Sequence, residues 1–215
     1  MTAERRRKSY LWASWLAQAL SGDKHCEWSF WYKAHFKYSK RPDENASNLE
    51  SWKADHAEVV RKRVEDLKTD GWSVRTEGQT KFTVYGKYAD VGGQADVLAE
   101  RGDAWWVDDV KTGQKRDSDF WQVVTYLVML PKVFERLMDR PSTGHVIYRD
   151  STRTITGGEA ASEADRVYAR VREIASDVEP KRTPSANECR FCDIASCPDR
   201  VASDAPENKG EASEF

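Results

Sequence analysis

The pattern of apolar and polar positions along the chain predicts helices separated by short strands. Apolar residues recur at helical spacing in the stretches that we expect to be helices, namely residues 9–20, 51–68, 119–130 with a continuation to about 138 beyond Pro131, and 159–176. Apolar and polar residues alternate in the stretches that we expect to be strands, namely residues 72–77, 81–85, 94–100, 104–111 and 144–149. The order strand, strand, helix, strand after an initial helix predicts an α/β fold, with a small mixed sheet flanked by helices.

The chain has 215 residues and contains no apolar run of membrane-spanning length. Basic residues at the N-terminus precede an apolar stretch that Trp12, Trp15 and Gln18 interrupt, so we expect a helix there rather than a signal peptide. We therefore expect a cytoplasmic protein with no membrane partner. We expect one domain over residues 1–200 and then an acidic, disordered tail. The expected parts are an N-terminal helical and aromatic segment (9–50), a core (51–150), a C-terminal helix with a cysteine-rich lobe (151–200) and the tail (201–215).

Charge is distributed unevenly along the chain, although the net formal charge is only −2. Residues 1–41 contain nine Lys and Arg against three Asp and Glu, which gives +6. Residues 199–215 contain five acids against two bases, which gives −3. A basic front fits local contacts with phosphates on one face, and an ordinary solvated surface explains the same charges.

Two acids and a lysine on neighbouring predicted strands are the candidate chemistry of this chain. Asp96 lies on the first strand, and Asp109 and Lys111 lie two positions apart on the second. Side chains alternate along a strand, so Asp109 and Lys111 share a face and Asp108 points to the other. Carboxylates bind hard divalent cations, and a neighbouring lysine can orient or deprotonate an attacking water. An ion pair at a strand end is the alternative explanation of Asp-x-Lys.

Three short motifs in order carry a resemblance to a known family. They are GGQAD at 92–96, DVKTG at 109–113 and QVVTY at 122–126. Together they resemble the RecB-like branch of the PD-(D/E)xK nuclease superfamily. The resemblance implies a restriction-endonuclease-like core and metal-dependent hydrolysis of phosphodiester bonds in DNA. Asp109 stands where many superfamily members have Glu, and the RecB-like branch commonly has Asp there.

The resemblance also implies a role for individual residues. It implies a Mg²⁺ or Mn²⁺ ion held by four groups: His56, Asp96, Asp109 and the main-chain carbonyl of Val110. It implies that Lys111 assists the attacking water, and we expect the pKa of Lys111 to be depressed by the metal and by partial burial. It assigns two helix residues one turn apart, Gln122 and Tyr126, to holding Lys111 and the DNA backbone.

Four cysteines stand at the two ends of the chain, as Cys26 and then Cys189, Cys192 and Cys197 with C-x₂-C-x₄-C spacing. Four thiolates can hold zinc or an iron–sulfur cluster, and unrelated thiols are the third possibility. With the nuclease motifs, the arrangement resembles the CRISPR-associated RecB-like exonucleases, and the nuclease domain of AddB is similar. That resemblance implies a structural [4Fe–4S] cluster in a lobe that joins the N- and C-terminal segments.

Aromatic residues between 28 and 38 are interleaved with lysines, a pattern that suits stacking on unpaired bases. We expect most of them to pack around the cysteine lobe instead. The function expected from these features is a DNA exonuclease that acts on single-stranded DNA or DNA ends. Two alternatives stay open: a DNA-binding or adaptor subunit of a recombination or CRISPR spacer-acquisition complex, with protein partners, and a zinc-stapled endonuclease. The oligomeric state stays undetermined.

Overall fold

The computed structural model describes residues 3–41 and 46–201, and for 46–50 it describes the backbone only. The predicted acidic tail lies outside the described residues from 202 onward. The strands are β1 Glu4–Arg5, β2 Ser9–Trp12, β3 Phe36–Lys37, β4 Ser73–Thr76, β5 Lys81–Tyr85, β6 Ala89–Gln94, β7 Val97–Arg101, β8 Ala104–Val110, β9 Ser142–Ile147 and β10 Thr152–Thr156. The helices are α1 Ala13–Ser21, α2 Glu27–His35, α3 Ala46–Thr69, α4 Asp117–Met129, α5 Gly157–Ser162, α6 Ala164–Ile174 and α7 Ala186–Phe191.

A five-stranded mixed sheet in the order β10-β9-β8-β7-β4 forms the centre of the fold. Strands β8 and β9 are parallel, and the other neighbours are antiparallel. The alternation along β7 sends Val97 and Ala99 toward α3 and Leu98 toward the larger core under α4. Both faces of this sheet are therefore covered by helices, which confirms the predicted α/β fold with a mixed sheet flanked by helices.

A second sheet has three strands in the order β2-β6-β5, with β2 parallel to β6. We predicted one helix over 9–20, and this was wrong for its first four residues, because Ser9–Trp12 form β2. Leu11 is 1% exposed and points into the core, while Tyr10 and Trp12 are partly exposed on the opposite face. This alternation of period two over four residues matches the edge of a sheet better than a helix.

A lobe made from both ends of the described chain packs beside the two sheets. We call it the cysteine lobe and define it as residues 26–41 together with 176–200. Its centre is Trp28, Trp31, Tyr32 and Ile194. The Lys33 ammonium lies 2.6 Å from the Asp193 carboxylate, and Lys40 forms a β-bridge with Ile194.

Further differences from the sequence prediction concern the C-terminal half. Strand β10 was not predicted; it pairs with β9, which itself lies two residues earlier than expected. The predicted helix over 159–176 is two helices, α5 and α6, and the Thr156 hydroxyl caps α5 by accepting from the Glu159 amide at 3.1 Å. Within the described residues, we find no helix that is long and apolar enough to cross a membrane.

Candidate metal centre and cysteine lobe

A cavity of about 1040 Å³ opens between α3, α4 and the edge where the two larger sheets meet. Residues from each of these elements line the cavity. Four of them are predicted site residues: His56, Asp96, Asp109 and Lys111. Val110 and Gln122 line it as well. The fold thus brings most of the predicted site residues to one place.

Asp96 lies in the two-residue bend where the chain leaves β6 and enters β7. We expected it on a continuous strand over 94–100, and the strand is broken there because β6 and β7 belong to different sheets. Its Oδ2 atom accepts a hydrogen bond from the Val110 amide at 2.6 Å and lies 3.3 Å from Nε2 of His56. The bend therefore ties β8 and α3 together through one carboxylate.

The hydrogen bond to Asp96 raises the pKa of His56, although partial burial opposes the shift. A hydrogen bond to the main-chain carbonyl of Val110 also raises the pKa of His56. His56 and the two groups that accept from it thus form one compact polar set at the cavity wall. This set contains three of the four metal ligands that the resemblance implied.

The paired glycines of the first motif have a packing reason. A Cβ at Gly92 would lie 1.8 Å from the Tyr10 hydroxyl, and one at Gly93 would lie 2.6 Å from the Phe82 ring. Both distances are too short for real atoms, so a side chain at either position would require the Tyr10 or the Phe82 ring to move; Phe82 is buried in the core, whereas Tyr10 is partly exposed. The glycines let β6 run straight into the Asp96 bend.

Asp109 and Lys111 share a face of the chain, as the strand alternation predicts, and the Lys111 ammonium lies 2.7 Å from Oδ2 of Asp109. Burial raises the pKa of Asp109 to about 6; the Lys111 charge opposes this shift, and the Asp96 charge adds to it. Asp109 is 3% exposed. A carboxylate this buried needs a positive charge beside it, and Lys111 is placed to provide one.

The pKa of Lys111 is raised in this structure, the opposite of the direction expected for a lysine beside a bound metal. Burial lowers the pKa of Lys111, but the charges of Asp109, Asp119 and Asp96 and the hydrogen bond to Asp109 outweigh burial and raise it. The prediction counted a metal and partial burial, and it did not include Asp119, whose carboxylate lies 3.9 Å from the ammonium. Lys111 therefore carries its positive charge among three carboxylates.

Gln122 connects Asp109 to Lys111 through hydrogen bonds. Its amide nitrogen donates to Oδ1 of Asp109 at 3.0 Å, and its amide oxygen accepts from the Lys111 ammonium at 3.0 Å. The same nitrogen donates to the Tyr126 hydroxyl at 2.8 Å, which in turn donates to the Gln94 carbonyl at 2.8 Å. Tyr126 is 2% exposed, so its position fits support of Gln122 from behind.

Sequence reasoning missed Glu77. The structure places its carboxylate with His56 and Asp96 so that one ligand atom of each lies within 4.8 Å of the others. Among residues 3–41 and 46–201, this is the only such group of three potential metal ligands. Glu77 lies directly after β4 in the turn to β5, and a turn acid gives no sequence signal of its own. Asp109 is outside the group, because its carboxylate faces Lys111 and Gln122.

The opposite face of β8 carries a separate charged network. Asp108 is 0% exposed; its carboxylate accepts from Nε of Arg63 at 2.6 Å and lies 2.7 Å from Nδ1 of His145. The Trp106 ring packs edge-on against His145 with 5.1 Å between ring centroids. Arg63 lies on α3 two turns after His56, so this network fixes α3 to the sheet below the cavity.

All four cysteines are free thiols that line one small pocket in the cysteine lobe. The Arg200 guanidinium donates to the main-chain carbonyls of Cys189, Cys192 and Ile194, which shapes the loop between the last cysteines. The Glu188 carboxylate accepts from the Cys26 amide at 3.1 Å and fixes the distant cysteine to α7. Four thiols with cationic neighbours are a donor set that fits zinc or an iron–sulfur cluster.

Comparison of the sequence and the structure with known proteins identifies a protein family for this chain. A sequence profile of the PD-(D/E)XK nuclease superfamily matches residues 13–198. No curated protein matches the sequence. Among solved structures, the crystal structure of SSO0001 is similar, with 14% sequence identity, a TM-score of 0.44, and coverage of 93% of this chain and 90% of that chain.

Proposed function

This chain belongs to the PD-(D/E)XK nuclease superfamily of metal-dependent nucleases, and we propose that it is a RecB-like DNA exonuclease acting on single-stranded DNA or DNA ends. One observation carries the proposal. Asp96, Asp109 and Lys111 line a single open cavity, with the lysine 2.7 Å from Asp109 and bonded to Gln122. An ordinary surface ion pair needs neither a cavity nor a buried carboxylate.

The donor set fits a hard divalent cation. An imidazole nitrogen from His56, a carboxylate oxygen from Asp96 and the carbonyl of Val110 would hold Mg²⁺ or Mn²⁺, and the Asp109 carboxylate would join them by turning from Lys111 and Gln122. Such a cation, when bound, neutralises phosphate charge and lowers the pKa of a coordinated water. Glu77 is a candidate for a further ligand, because it lies in the one compact ligand group described above.

The side chains themselves position the reaction. Lys111 presents a positive charge to the cavity, where it can orient a water and stabilise negative charge that develops on a phosphate oxygen. Gln122 keeps this ammonium beside Asp109 by bonding to both. Tyr126 and the Gln94 carbonyl fix Gln122 in turn, so the lysine approaches the cavity from a rigid support.

Cleavage of labelled DNA tests the proposal. With Mn²⁺, the protein should shorten end-labelled single strands and leave circular single strands intact. Asp109→Ala and Lys111→Ala should each reduce cleavage by about 10³-fold or more. Lys115→Ala is the matched control, because Lys115 is exposed and pairs with Asp150. Cleavage that persists in both site variants would reject the assignment, and rapid cutting of circles would replace the exonuclease by an endonuclease.

We further propose that the cysteine lobe holds a structural [4Fe–4S] cluster. Zinc in a tetrahedral site lies about 2.3 Å from each thiolate, which sets the sulfur atoms about 3.8 Å apart. In the described part of the chain, no three cysteine sulfurs lie within 4.8 Å of one another, so the thiols as placed do not form a closed tetrahedral zinc site. Lys24, Arg182 and Arg200 also line the pocket, and their charges suit an anionic cluster.

Anaerobic purification tests the lobe. The protein should contain iron and acid-labile sulfide and absorb visible light. Cys192→Ser should lose the absorption and much of the solubility together, since the lobe then lacks one of its four ligands. An unchanged spectrum in this variant, or one equivalent of zinc with no iron in the unmodified protein, would reject the cluster.

A further inference from the structure

An exposed tryptophan stands at the active-site cavity, while the aromatic residues first considered for DNA binding are buried. Trp28, Trp31 and Tyr32 are 3%, 5% and 9% exposed and form the centre of the cysteine lobe. Trp52 is 48% exposed and lines the cavity. Other exposed apolar residues, such as Tyr85 and Phe191, do not line this cavity, so Trp52 is distinguished by its place and not by its exposure.

Trp52 is placed directly beside the proposed metal ligands. It lies one helical turn before His56 on α3, and the two rings are stacked with centroids 5.4 Å apart and planes 24° apart. His56 in turn lies 3.3 Å from Asp96. A flat group resting on the open part of the indole would therefore be two ring layers away from the acid of the first motif.

The charges around Trp52 suit a nucleic-acid strand. Lys53, Arg61 and Arg116 line the same cavity on α3 and just before α4, and the acids that line it, Glu77, Asp96, Asp109 and Asp119, lie around the proposed metal site. Cations follow the phosphates of a strand, and an aromatic face accepts a base of any sequence. Inside a duplex both faces of a base are covered by its neighbours, so a base from the interior must be unpaired before it can occupy an aromatic platform.

We propose that Trp52 is a base-stacking residue that selects unpaired DNA at the active site. It stacks on the base next to the phosphate that is cut, and the base, Trp52 and His56 form one stack with Trp52 in the middle. The inference rests on the proposed nuclease function and specifies its substrate class. A DNA strand that enters the cavity is held by the stacking of one base on Trp52. A single-stranded DNA end is therefore the preferred substrate over a base-paired end.

Binding can be measured apart from cleavage. In a Lys111→Ala background with Mn²⁺, fluorescence anisotropy gives the affinity for a labelled single strand. Trp52→Ala should weaken binding about 10-fold, and Trp52→Phe should keep most of the affinity. Tyr85→Ala is the control, because Tyr85 is an exposed aromatic, 81% exposed, at the end of β5 away from the cavity.

An abasic scan identifies the contact itself. A set of single strands, each lacking one base at a different distance from the end, should show one position where affinity falls about 10-fold. Trp52→Ala should abolish that position dependence and leave the other oligonucleotides equal to one another. Circular duplexes, which have no terminal base pair, should bind the variant and its parent background equally.

Three outcomes would overturn the inference. The first is a uniform loss of affinity for single strands and duplexes in Trp52→Ala. The second is an abasic scan that the variant does not change. The third is a loss of Mn²⁺ affinity that accounts for the DNA effect, which would make Trp52 a support of His56. An abasic pattern that depends on Trp52 in a protein that cuts no DNA supports the stacking role and rejects only the nuclease function.

Discussion

Asp108 and Asp109 are neighbours in the chain, yet their carboxylates lie on opposite faces of β8. Asp109 faces the cavity and the Lys111 ammonium at 2.7 Å. Asp108 faces the other side, where it pairs with Arg63 of α3 at 2.6 Å and with His145 of β9 at 2.7 Å. Because strand side chains alternate, one strand supplies an acid to the proposed chemistry and an acid to the attachment of α3.

Exchange of each acid for its amide should separate these two roles. Asp108→Asn should lower the free energy of unfolding by about 2–3 kcal/mol, because Arg63 and His145 lose a charged partner in a buried place. Asp109→Asn should leave stability without metal equal or slightly higher, because burial raises the pKa of the carboxyl to about 6 and its charge is costly there. Urea unfolding and cleavage assays on both variants make the comparison; a catalytic defect confined to Asp108→Asn would contradict it.

Glu77 should contribute to metal affinity. Glu77→Gln removes one negative charge from the group that it forms with His56 and Asp96, and we expect the Kd for Mn²⁺ to rise about 10-fold. Isothermal titration calorimetry measures this change. Glu65→Gln is a control on α3, because Glu65 is exposed and pairs with Arg61. Equal Kd values for Glu77→Gln and the unmodified protein would remove Glu77 from the ligand set.

Acid should remove the contribution of Glu100 to stability. Its carboxylate lies 2.6, 3.1 and 3.0 Å from Arg75, Arg136 and Arg140. Partial burial raises the pKa of Glu100, but hydrogen bonds from the arginines outweigh burial and hold it below its usual value. A depressed folded pKa means that the stabilisation is complete above the usual carboxyl range and is lost as the pH falls through the folded pKa.

Glu100→Gln should therefore be less stable than the unmodified protein by about 1–2 kcal/mol at neutral pH. The difference should vanish in acid, below the folded pKa of Glu100. Urea unfolding at a series of pH values measures the difference directly. A gap that widens with acid would show that the arginines do not act through the charge of Glu100.

Arg200 should hold the cysteine lobe together. Arg200→Met removes the donor that serves the carbonyls of Cys189, Cys192 and Ile194, and a buried carbonyl without a partner is costly. We expect faster hydrogen exchange over 186–200 and a lower iron content after purification. Arg190→Met, on the exposed side of α7, should change neither. Full protection in Arg200→Met would show that the lobe does not depend on this side chain.

The sequence predicted which side chains of the proposed site lie side by side better than it predicted the strands and bends that carry them. Strand alternation placed Asp109 beside Lys111, and helical spacing placed Gln122 and Tyr126 on one side of α4, because both periods are local rules. Asp96 was expected within a strand, and the bend there results from a change of sheet that only the tertiary structure shows.

Other errors have the same physical origin. Glu77 reaches the cavity because β4 and β5 belong to different sheets, and the turn between them lies where the two sheets meet. The spacing of residues along the chain does not show that the sheets meet there. Tyr10, Leu11 and Trp12 suit a strand or a helix equally well in isolation, and pairing with β6 decides between them. The pKa of Lys111 depends on how many carboxylates surround it, and the sequence did not show that Asp119 is one of them.

The cysteine lobe can pack completely only late in synthesis, because its two segments are far apart in the chain. The Cys26 amide bonds to Glu188, 162 positions later in the chain, so a ribosome exposes α2 long before its partner is made. Trp28 and Tyr32 lack Ile194 and the later cysteines as packing partners throughout that interval, and apolar surface left open in this way is prone to aggregation. Helix α2 is therefore among the last parts of the described chain to be shielded fully from water.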